Sequence, residues 1–266
     1  MLSKRKDDDV DSIINLAGKR ILITGASSGI GKDTAIMLSA QGAECILVAR
    51  REDKLQEVLS MLACIGEVKH SYYCFDLCKT DEIEEVVKKI VTEQGKLDGM
   101  VYAAGVGTSA PFIQFTPEKV RKVFDINFFG FVELARQICK KGRFHEEMRI
   151  VGISSVAATR GDKSHMAYSA SKAAMDGAVR CIAKEVAEKG ICINTVAPAM
   201  TATDMYKHYL EKYGEESGSN QELLKRQYLG IAETFDVANA VAYLLSPAAR
   251  FITGISLPVD GGMTTS

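Results

Sequence analysis

Tyr168 and Lys172 lie four positions apart, and Ser155 precedes the tyrosine by thirteen positions. On a helix, residues four apart share one face and lie about one turn from each other. A lysine ammonium placed there favours the phenolate, which matters because a free tyrosine has a pKa of about 10. A serine hydroxyl beside the phenol can hold a carbonyl or alcohol oxygen while a proton moves. A tyrosine and a lysine on the surface of an ordinary helix would show the same spacing. Other parts of the chain are therefore needed to distinguish a catalytic pair from a surface pair.

A glycine-rich turn follows the first predicted strand. The segment RILIT has the apolar run of a strand, and Gly25, Gly29 and Gly31 come directly after it, before a helical apolar pattern. This order lets the backbone approach a pyrophosphate, whose charge then lies at a helix N-terminus. The spacing differs from G-x-G-x-x-G, so a glycine turn without a ligand remains an alternative at this point.

Three motifs together resemble those of the short-chain dehydrogenase/reductase family. They are TGASSGIG, the set of Ser155, Tyr168 and Lys172, and the closing VDGG, and the resemblance runs from about residue 17 to residue 262. It implies a single Rossmann-type domain that transfers hydride between a nicotinamide cofactor and a carbonyl or secondary alcohol. Asn127 completes the match to the family's catalytic tetrad. Ser155 is preferred to Ser154 because its separation from the tyrosine matches the family, and Ser154 is expected to be satisfied by backbone.

The resemblance also implies a role for each of these residues. Ser155 and Tyr168 would hydrogen-bond the substrate oxygen, and the tyrosine would donate the proton. Lys172 would hold the nicotinamide ribose and lower the pKa of the tyrosine. Asn127, inside a helix, would anchor a water that connects the lysine to solvent.

Cofactor preference depends on the end of the second predicted strand, which reads VARRED. A carboxylate at this place accepts hydrogen bonds from the ribose 2′-hydroxyl of NAD and repels a 2′-phosphate. This chain has Arg50 there, followed by Arg51, and planar guanidinium groups suit phosphate. The sequence therefore favours NADP(H), with Glu52 or Asp53 binding the ribose as the alternative. The resemblance implies the following cofactor-binding set: Gly25, Ser27, Ser28, Gly29, Ile30, Gly31, Arg50, Arg51, Asp76, Leu77, Ala104, Gly105, Tyr168, Lys172, Pro198 and Thr203.

Length, composition and charge argue against several classes of protein. The chain has 266 residues, of which 47% are hydrophobic, and a formal net charge of −1, so bulk charge indicates no nucleic-acid or anionic-membrane partner. The N-terminus lacks the apolar core of a secretory signal, and no apolar run is long enough to span a bilayer. The four histidines have no metal-ligand spacing, so we expect no metal site. Seven cysteines indicate buried, reduced thiols in a cytoplasmic protein.

Strands and helices alternate along the chain. This pattern predicts an α/β fold: one doubly wound domain over 1–266, with a parallel sheet of seven strands and helices on both faces. Residues 1–16 form an N-terminal extension. Thr80 is a candidate cap for one helix, and Thr116-Pro117 opens a long helix that runs through Asn127. Tyr168 is expected to open the next helix. The named motifs all fall at the C-terminal ends of strands, where such sheets bind ligands.

Two segments depart from the family pattern. Tyr102-Ala103-Ala104-Gly105 stands where relatives usually have Asn-Asn-Ala-Gly, which removes the usual asparagine hydrogen bonds between central strands. Ala199 follows Pro198 where relatives usually have glycine. If that position required a positive φ the alanine would be strained, so we expect an adjusted loop.

Residues from about 204 to 226 form an insertion that is a substrate lid in the family. Its apolar members would line a pocket for an acyl chain or a steroid-like ring, or pack within a short helix: Met200, Met205, Tyr206 and Tyr209. The basic cluster Lys140, Lys141 and Arg143 would meet an acidic acyl carrier protein, or simply solvate a helix C-terminus.

Three functions follow from these features. The first is an NADPH-dependent ketone reductase resembling 3-oxoacyl-(acyl-carrier-protein) reductases. The second is a dehydrogenase of hydroxysteroids, sugars or other secondary alcohols, and the third is a cofactor-binding regulatory protein without activity. The resemblance further implies a homodimer or homotetramer formed through the helices that contain Asn127 and Tyr168.

Overall fold

The computed structural model describes residues 14–65, 68–214 and 224–265. Most of the N-terminal extension, residues 1–13, therefore lies outside the described residues, as does the 215–223 part of the insertion. The strands are β1 Arg20–Thr24, β2 Glu44–Ala49, β3 Ser71–Cys74, β4 Leu97–Tyr102, β5 Phe144–Ile153, β6 Cys192–Pro198 and β7 Ser256–Val259. The α-helices bounded on both sides by described residues are α1 Gly29–Ala40, α2 Glu52–Met61, α3 Ile83–Gln94, α4 Pro117–Phe124, α5 Gly130–Ile138, α6 Ala157–Arg160, α7 Met166–Val186, α8 Asp204–Tyr213 and α9 Thr234–Leu245.

All seven strands form one parallel sheet in the order β3-β2-β1-β4-β5-β6-β7. The predicted single Rossmann-type domain with a seven-stranded doubly wound sheet is confirmed. Central strands read as continuous apolar runs because helices cover both of their faces. Between β1 and β4 the winding direction reverses, and this is where sheets of this type hold their ligands.

Two hydrophobic cores lie on opposite faces of the sheet. On one face, α1, α2 and α9 pack through residues such as Leu38, Leu55 and Val241. On the other face, α3, α5 and α7 pack through residues such as Val87 and Leu134. Each helix presents an apolar stripe to the sheet, and a side chain buried in this way stabilises the fold by roughly 1.5–3 kcal/mol.

Of two predicted helix caps, Thr116 is confirmed and Thr80 is not. Thr116 caps α4, since its hydroxyl accepts a hydrogen bond from the Lys119 amide at 3.4 Å and Pro117 occupies the first turn. The prediction that Thr80 caps a helix is wrong: Thr80 lies in a short 3₁₀ turn whose residues end before α3, and its side chain caps neither element.

The long helix through Asn127 is interrupted. Residues Asp125–Phe129 form a π turn between α4 and α5, in which the Gly130 amide donates to the carbonyl of Asp125, five residues back. An extra residue in the turn rotates the side chains that follow it. Helix α7 begins at Met166, two residues before Tyr168, so the tyrosine lies inside the first turn rather than at its start.

The cysteines differ from the prediction of buried thiols. All seven are free, but Cys64, Cys74, Cys78 and Cys181 are exposed and only Cys45 is fully buried. Cys74 is exposed because β3 is an edge strand of the sheet. Among the described residues, no cluster of three metal-ligating side chains occurs and no helix could cross a membrane.

Gly31 provides a test of how closely α1 packs on the end of β1. A Cβ at Gly31 would overlap the carbonyl oxygen of Gly25 and lie 3.1 Å from that of Thr24. We expect Gly31→Ala to lower the free energy of unfolding by about 1–3 kcal/mol because the backbone has to shift.

A matched control is Gly177→Ala on α7. There the nearest atom to the new Cβ is a guanidinium nitrogen of Arg180, at 3.8 Å. This variant should gain up to about 1 kcal/mol from helix propensity. Urea unfolding followed by circular dichroism compares the two, and equal stability of Gly31→Ala and the unmodified chain would contradict the packing argument.

Candidate active site

The glycine turn and the loop after β4 meet at the reversal point of the sheet. Gly25 has φ 65°, and a Cβ on it would lie 2.7 Å from backbone atoms of Ala103 and Ala104. Only glycine tolerates both this φ and this contact. Ser28, the N-cap of α1, has an extended backbone and its side chain leaves the first amides of the helix uncapped. A glycine turn that leads into a helix N-terminus with uncapped amides suits a dinucleotide pyrophosphate.

Thr24, which the sequence argument overlooked, replaces the expected asparagine hydrogen bonds. Its hydroxyl accepts from the amides of Ala103 and Ala104, at 3.1 and 3.2 Å. The residue faces Tyr102 across the parallel strands β1 and β4. A β-branched hydroxyl at the end of a strand is the only sequence signal, and it is a weak one.

The structure brings Ser155, Tyr168 and Lys172 together at the C-terminal end of β5. Lys172 is only 4% exposed, and its Nζ donates to the carbonyl of Ile153 at 2.7 Å. The same Nζ lies 5.9 Å from the centre of the Tyr168 ring. Ser155 lies two residues beyond Ile153, and its Oγ accepts from the Ala157 amide at 3.2 Å. Ser154 Oγ, expected to be satisfied by backbone, is buried and makes no hydrogen bond within the described residues.

Burial dominates the protonation of the pair. It raises the pKa of Tyr168, and only the interaction with the Ser155 hydroxyl acts in the opposite direction. Burial also lowers the pKa of Lys172 to about 8, against the attraction of Asp176. The net shift is thus opposite in direction to the lowering predicted from Lys172, because the cost of burying a phenolate outweighs the interaction that favours it.

Asn127 lies in the π turn and is completely buried. Its Oδ1 accepts from the Val106 amide at 2.9 Å, and its Nδ2 donates to the Val106 carbonyl at 3.1 Å and to Ser171 Oγ at 3.0 Å. Ser171 Oγ in turn donates to the carbonyl of Tyr168 at 2.7 Å. Asn127 therefore connects the loop after β4 to the helix that carries the tyrosine and the lysine.

Gly105 lies between these groups. A Cβ on it would lie 3.1 Å from Asn127 Oδ1 and 3.5 Å from Lys172 Nζ. The absence of a side chain therefore leaves the asparagine and the ammonium facing this glycine across a narrow gap. Ala104, from the same predicted set, precedes it and is held by Thr24.

Asp176 extends the row of polar groups along α7, and the sequence argument overlooked it. It is four residues beyond Lys172, buried, and its Oδ1 accepts from the Thr195 hydroxyl at 2.7 Å. Tyr168, Lys172 and Asp176 thus follow one face of the helix at four-residue intervals. The YxxxKxxxD spacing could have indicated this carboxylate.

Arg51 approaches the glycine turn more closely than the sequence argument suggested. Its guanidinium donates to both Ser27 Oγ and Ser28 Oγ at 3.0 Å. Arg50 is exposed, and its carbonyl accepts from the Cys74 thiol at 3.1 Å. The Arg51 guanidinium after β2 and the serine hydroxyls of the glycine turn after β1 together form a donor set suited to a phosphate.

The remaining predicted cofactor residues lie at or just after the ends of strands, or at the starts of helices. Asp76 follows β3, and its Oδ1 accepts from the Cys78 amide at 3.0 Å, while Leu77 between them is buried. Ile30 lies in the first turn of α1 and packs against its core, and Pro198 ends β6. Thr203 caps α8, accepting from the Tyr206 amide at 3.2 Å.

The expected adjustment after Pro198 is observed. Ala199 is not among the residues with positive φ, and its amide donates to the carbonyl of Val259 at 3.2 Å, so it continues the pairing of β6 with β7. Buried Gln227 holds the next residue through both backbone groups of Met200, at 2.9 and 3.1 Å. No strain arises from the Pro-Ala departure.

The predicted lid begins as helix α8. Its half-exposed Met205 lies over the loop after β4, where a Cβ on Gly107 would lie 2.9 Å from the methionine sulfur. The Tyr209 side chain, also predicted to line a pocket, lies outside the described residues.

The basic cluster lies at the wrong end of the sheet for a substrate carrier. Lys140, Lys141 and Arg143 precede β5, whereas Ser155 follows it, and β5 has ten residues. Phe144 pairs with Leu97 but Arg149 with Gly99, so β5 is bulged and its ten residues advance only about 20 Å along the sheet, which separates the cluster from the site. Lys140 and Arg143 moreover form ion pairs with Glu84, at 3.2 and 3.4 Å.

Comparisons with known proteins agree with this geometry. A protein-family profile described as enoyl-(acyl carrier protein) reductase matches residues 25–264. The chain is 36% identical to the 3-oxoacyl-(acyl-carrier-protein) reductase FabG of Rickettsia conorii, over 94% of this chain and 99% of that protein. It is 33% identical to L-xylulose reductase of Caenorhabditis elegans, over 93% and 96% of the two chains. A short chain dehydrogenase from Burkholderia cenocepacia, solved in complex with NADP, superposes with a TM-score of 0.85 at 27% identity, covering 94% of this chain and 99% of that one.

The chain belongs to the short-chain dehydrogenase/reductase family. It is an oxidoreductase that acts on CH–OH groups with NAD(P). Of the three functions suggested by the sequence, the two enzymatic ones remain, and the regulatory protein without activity does not.

Lys172 predicts a particular dependence of stability on pH. Its pKa is about 8 in the folded chain and about 10.5 in the unfolded chain, so the unfolded state binds more protons between these values. The penalty for burying the ammonium is fully present below pH 8 and is relieved as the pH rises. As the pH rises between these two values, the free energy of unfolding of the unmodified chain should rise relative to that of Lys172→Met. The slope should be at most about 1.4 kcal/mol per pH unit.

Urea unfolding at a series of pH values measures this difference. Lys54→Met is the control, because Lys54 is exposed and its pKa is raised by Glu57, so it stays charged throughout the window. Parallel pH curves for Lys172→Met and the unmodified chain would show that the buried lysine does not titrate there.

Proposed function

We propose that the chain is an NADP(H)-dependent ketoreductase whose proton donor is Tyr168. The observation that carries this proposal is the burial of Lys172 against Tyr168, beside Ser155 and at the mouth of a dinucleotide-type crevice. A buried ammonium is costly and persists only where it has a use or full compensation. A nicotinamide, when bound, supplies the hydride; the residues described here bind the substrate and move the proton.

Each polar group has one task in the proposed reaction. Ser155 Oγ and Tyr168 Oη hydrogen-bond the carbonyl oxygen, and the tyrosine, kept protonated by its raised pKa, donates its proton to the forming alkoxide. Lys172, with a pKa of about 8, exchanges protons near neutral pH and returns one toward the phenolate. Asn127 and Ser171 hold the loop and helix in register during the transfer. Such general acid catalysis contributes about 10²- to 10⁴-fold in rate.

NADP(H) is the proposed cofactor. The Arg51 guanidinium, already in contact with Ser27 and Ser28, supports this choice, and the exposed Arg50 adds positive charge. The Burkholderia cenocepacia relative was solved with NADP, which agrees with the proposal. Asp76 and Leu77 would contact the adenine, and Thr203 the nicotinamide amide.

The proposed substrate class is a 3-oxoacyl thioester or a similar ketone. Relatives that are 3-oxoacyl-(acyl-carrier-protein) reductases support it, as does the exposed Met205 beside the loop after β4. The basic cluster at the opposite end of the sheet gives it no support. Reduction of a sugar ketone is the second candidate, favoured by the similarity to L-xylulose reductase.

We further propose a homodimer or homotetramer formed through α4, α5 and α7, with residues from about 204 to 226 as the substrate lid. The exposed ring of Phe129, next to Phe124 and Phe128, supports an interface on this face. Free thiols throughout the chain are in keeping with a cytoplasmic location.

Tyr168→Phe tests the proton donor. The variant should lose at least about 10²-fold in kcat for reduction of acetoacetyl-CoA, because no group replaces the phenolic proton. The Kd for NADPH should stay within a few-fold. Tyr72→Phe removes a hydroxyl that donates to Glu52 on the surface and should leave kcat unchanged. Substantial turnover by Tyr168→Phe would refute the assigned role.

Arg51→Ala tests the cofactor preference. Loss of a charge-assisted contact with the 2′-phosphate should raise the KM for NADPH about 10- to 100-fold and change the KM for NADH much less. Lys54→Ala, one turn further along α2, is the matched control for a lost surface charge. Steady-state kinetics with both cofactors provide the measurement. An unmodified enzyme that prefers NADH, or an equal effect on the two cofactors, would overturn the assignment.

A further inference from the structure

Tyr102 ends β4 and stands where relatives usually carry asparagine, and its hydroxyl reaches the π turn. The side chain is completely buried, and its Oη donates to the carbonyl of Ile126 at 2.6 Å. The ring packs edge-on against Phe131, with centroids 5.4 Å apart. A buried phenol needs a hydrogen-bond partner, and here the partner is the residue directly before Asn127.

The π turn offers this carbonyl to the phenol. In an α-helix the Gly130 amide would donate to Ile126, but here it donates to Asp125 instead. Gly130 also makes the space for the phenol, since a Cβ there would lie 2.6 Å from Tyr102 Oη and 2.9 Å from the carbonyl of Leu77. Burial raises the pKa of Tyr102 well above its usual value, so the hydroxyl stays protonated and donates.

Two sets of hydrogen bonds link the same two segments in opposite directions. Tyr102 donates from the end of β4 to Ile126 in the π turn, and Asn127 bonds back from the π turn to both backbone groups of Val106 in the loop after β4. The three residues between Tyr102 and Val106 include Gly105, which faces Asn127 Oδ1 and Lys172 Nζ. The pair of links fixes the loop and the asparagine relative to the ammonium.

We propose that Tyr102 is a positioning residue that acts through Asn127: its hydroxyl sets the π turn so that the asparagine holds the loop at Val106 and Gly105 opposite Lys172. This inference rests on the proposed proton-transfer role of Lys172. It goes beyond that role because Lys172 could transfer protons without Tyr102. The phenol touches neither substrate nor cofactor. It acts only by orienting the amide of Asn127.

A double-mutant cycle in kcat tests the coupling. Tyr102→Phe, Asn127→Ala and the double variant are compared in the reduction of acetoacetyl-CoA by NADPH over a range of pH. Tyr102→Phe should lower kcat about tenfold, change its pH profile and leave the KM for the thioester within about twofold. In the Asn127→Ala background the same change should have no further effect, because residues that act as a unit are not additive. Losses that multiply, or an unchanged kcat, would overturn the inference.

Amide hydrogen exchange at Val106 gives a readout that does not require activity. Tyr102→Phe should speed exchange of the Val106 amide, which donates to Asn127 Oδ1, and unchanged exchange would count against the inference. Tyr73→Phe, which removes a phenol hydrogen bond to Glu93 at the sheet edge, should change neither exchange nor kcat. If Tyr102→Phe does not fold, Gly130→Ala is the second variant, because its new Cβ would displace the Tyr102 hydroxyl from the Ile126 carbonyl. It should change kcat and Val106 exchange in the same way.

The two hypotheses fail in different ways. If the unmodified chain does not reduce the thioester, or Tyr168→Phe keeps its activity, the proposed function fails while the Val106 exchange still reports on Tyr102. If Tyr168→Phe is inactive and Tyr102→Phe behaves like the unmodified enzyme in both measurements, only the role of Tyr102 fails.

Discussion

The buried ammonium of Lys172 is the constraint on which the site depends. Its hydrogen bond to the last carbonyl of β5 fixes helix α7 against the sheet and places Tyr168 above the strand ends. A charge removed from water needs compensation, and the surroundings supply it through the Ile153 carbonyl and the attraction of Asp176. The position of the tyrosine, one helical turn before the lysine, therefore depends on how the lysine is held.

The remaining polar groups extend this arrangement outward by hydrogen bonds. Ser171 joins Asn127 to the start of α7, and Asn127 joins that helix to the loop after β4. Thr24 then ties the same loop to β1 and so to the glycine turn. One continuous network thus runs from the proton-transfer groups to the dinucleotide crevice. Networks of this kind hold a site rigid when every member is satisfied.

Periodicity and motifs were enough to predict the seven strands, their parallel pairing and the edge of the sheet that carries the site. The start of α4 at Thr116-Pro117 could also be predicted, because a helix cap depends only on neighbouring residues in the chain. The π turn was not, since DINFF contains neither proline nor any other local breaker, and contacts from β4 hold it open. The raised pKa of Tyr168 was missed because burial depends on the whole fold. Thr24 and Asp176 find their partners, in the loop after β4 and on β6, only in the folded chain. The YxxxKxxxD spacing could have indicated Asp176, whereas no comparable spacing indicates Thr24.

Glu84 and its basic partners mark a chemical difference between the two ends of the sheet. Glu84 forms ion pairs with Lys88, Lys140 and Arg143 on the surface, and the hydrogen bonds from Lys88 and Lys140 lower its pKa to about 2. Salt weakens exposed ion pairs such as these, whereas the buried groups at the other end of the sheet are screened far less. Ionic strength should therefore loosen the far rim of the molecule and leave the geometry around the reacting proton largely intact.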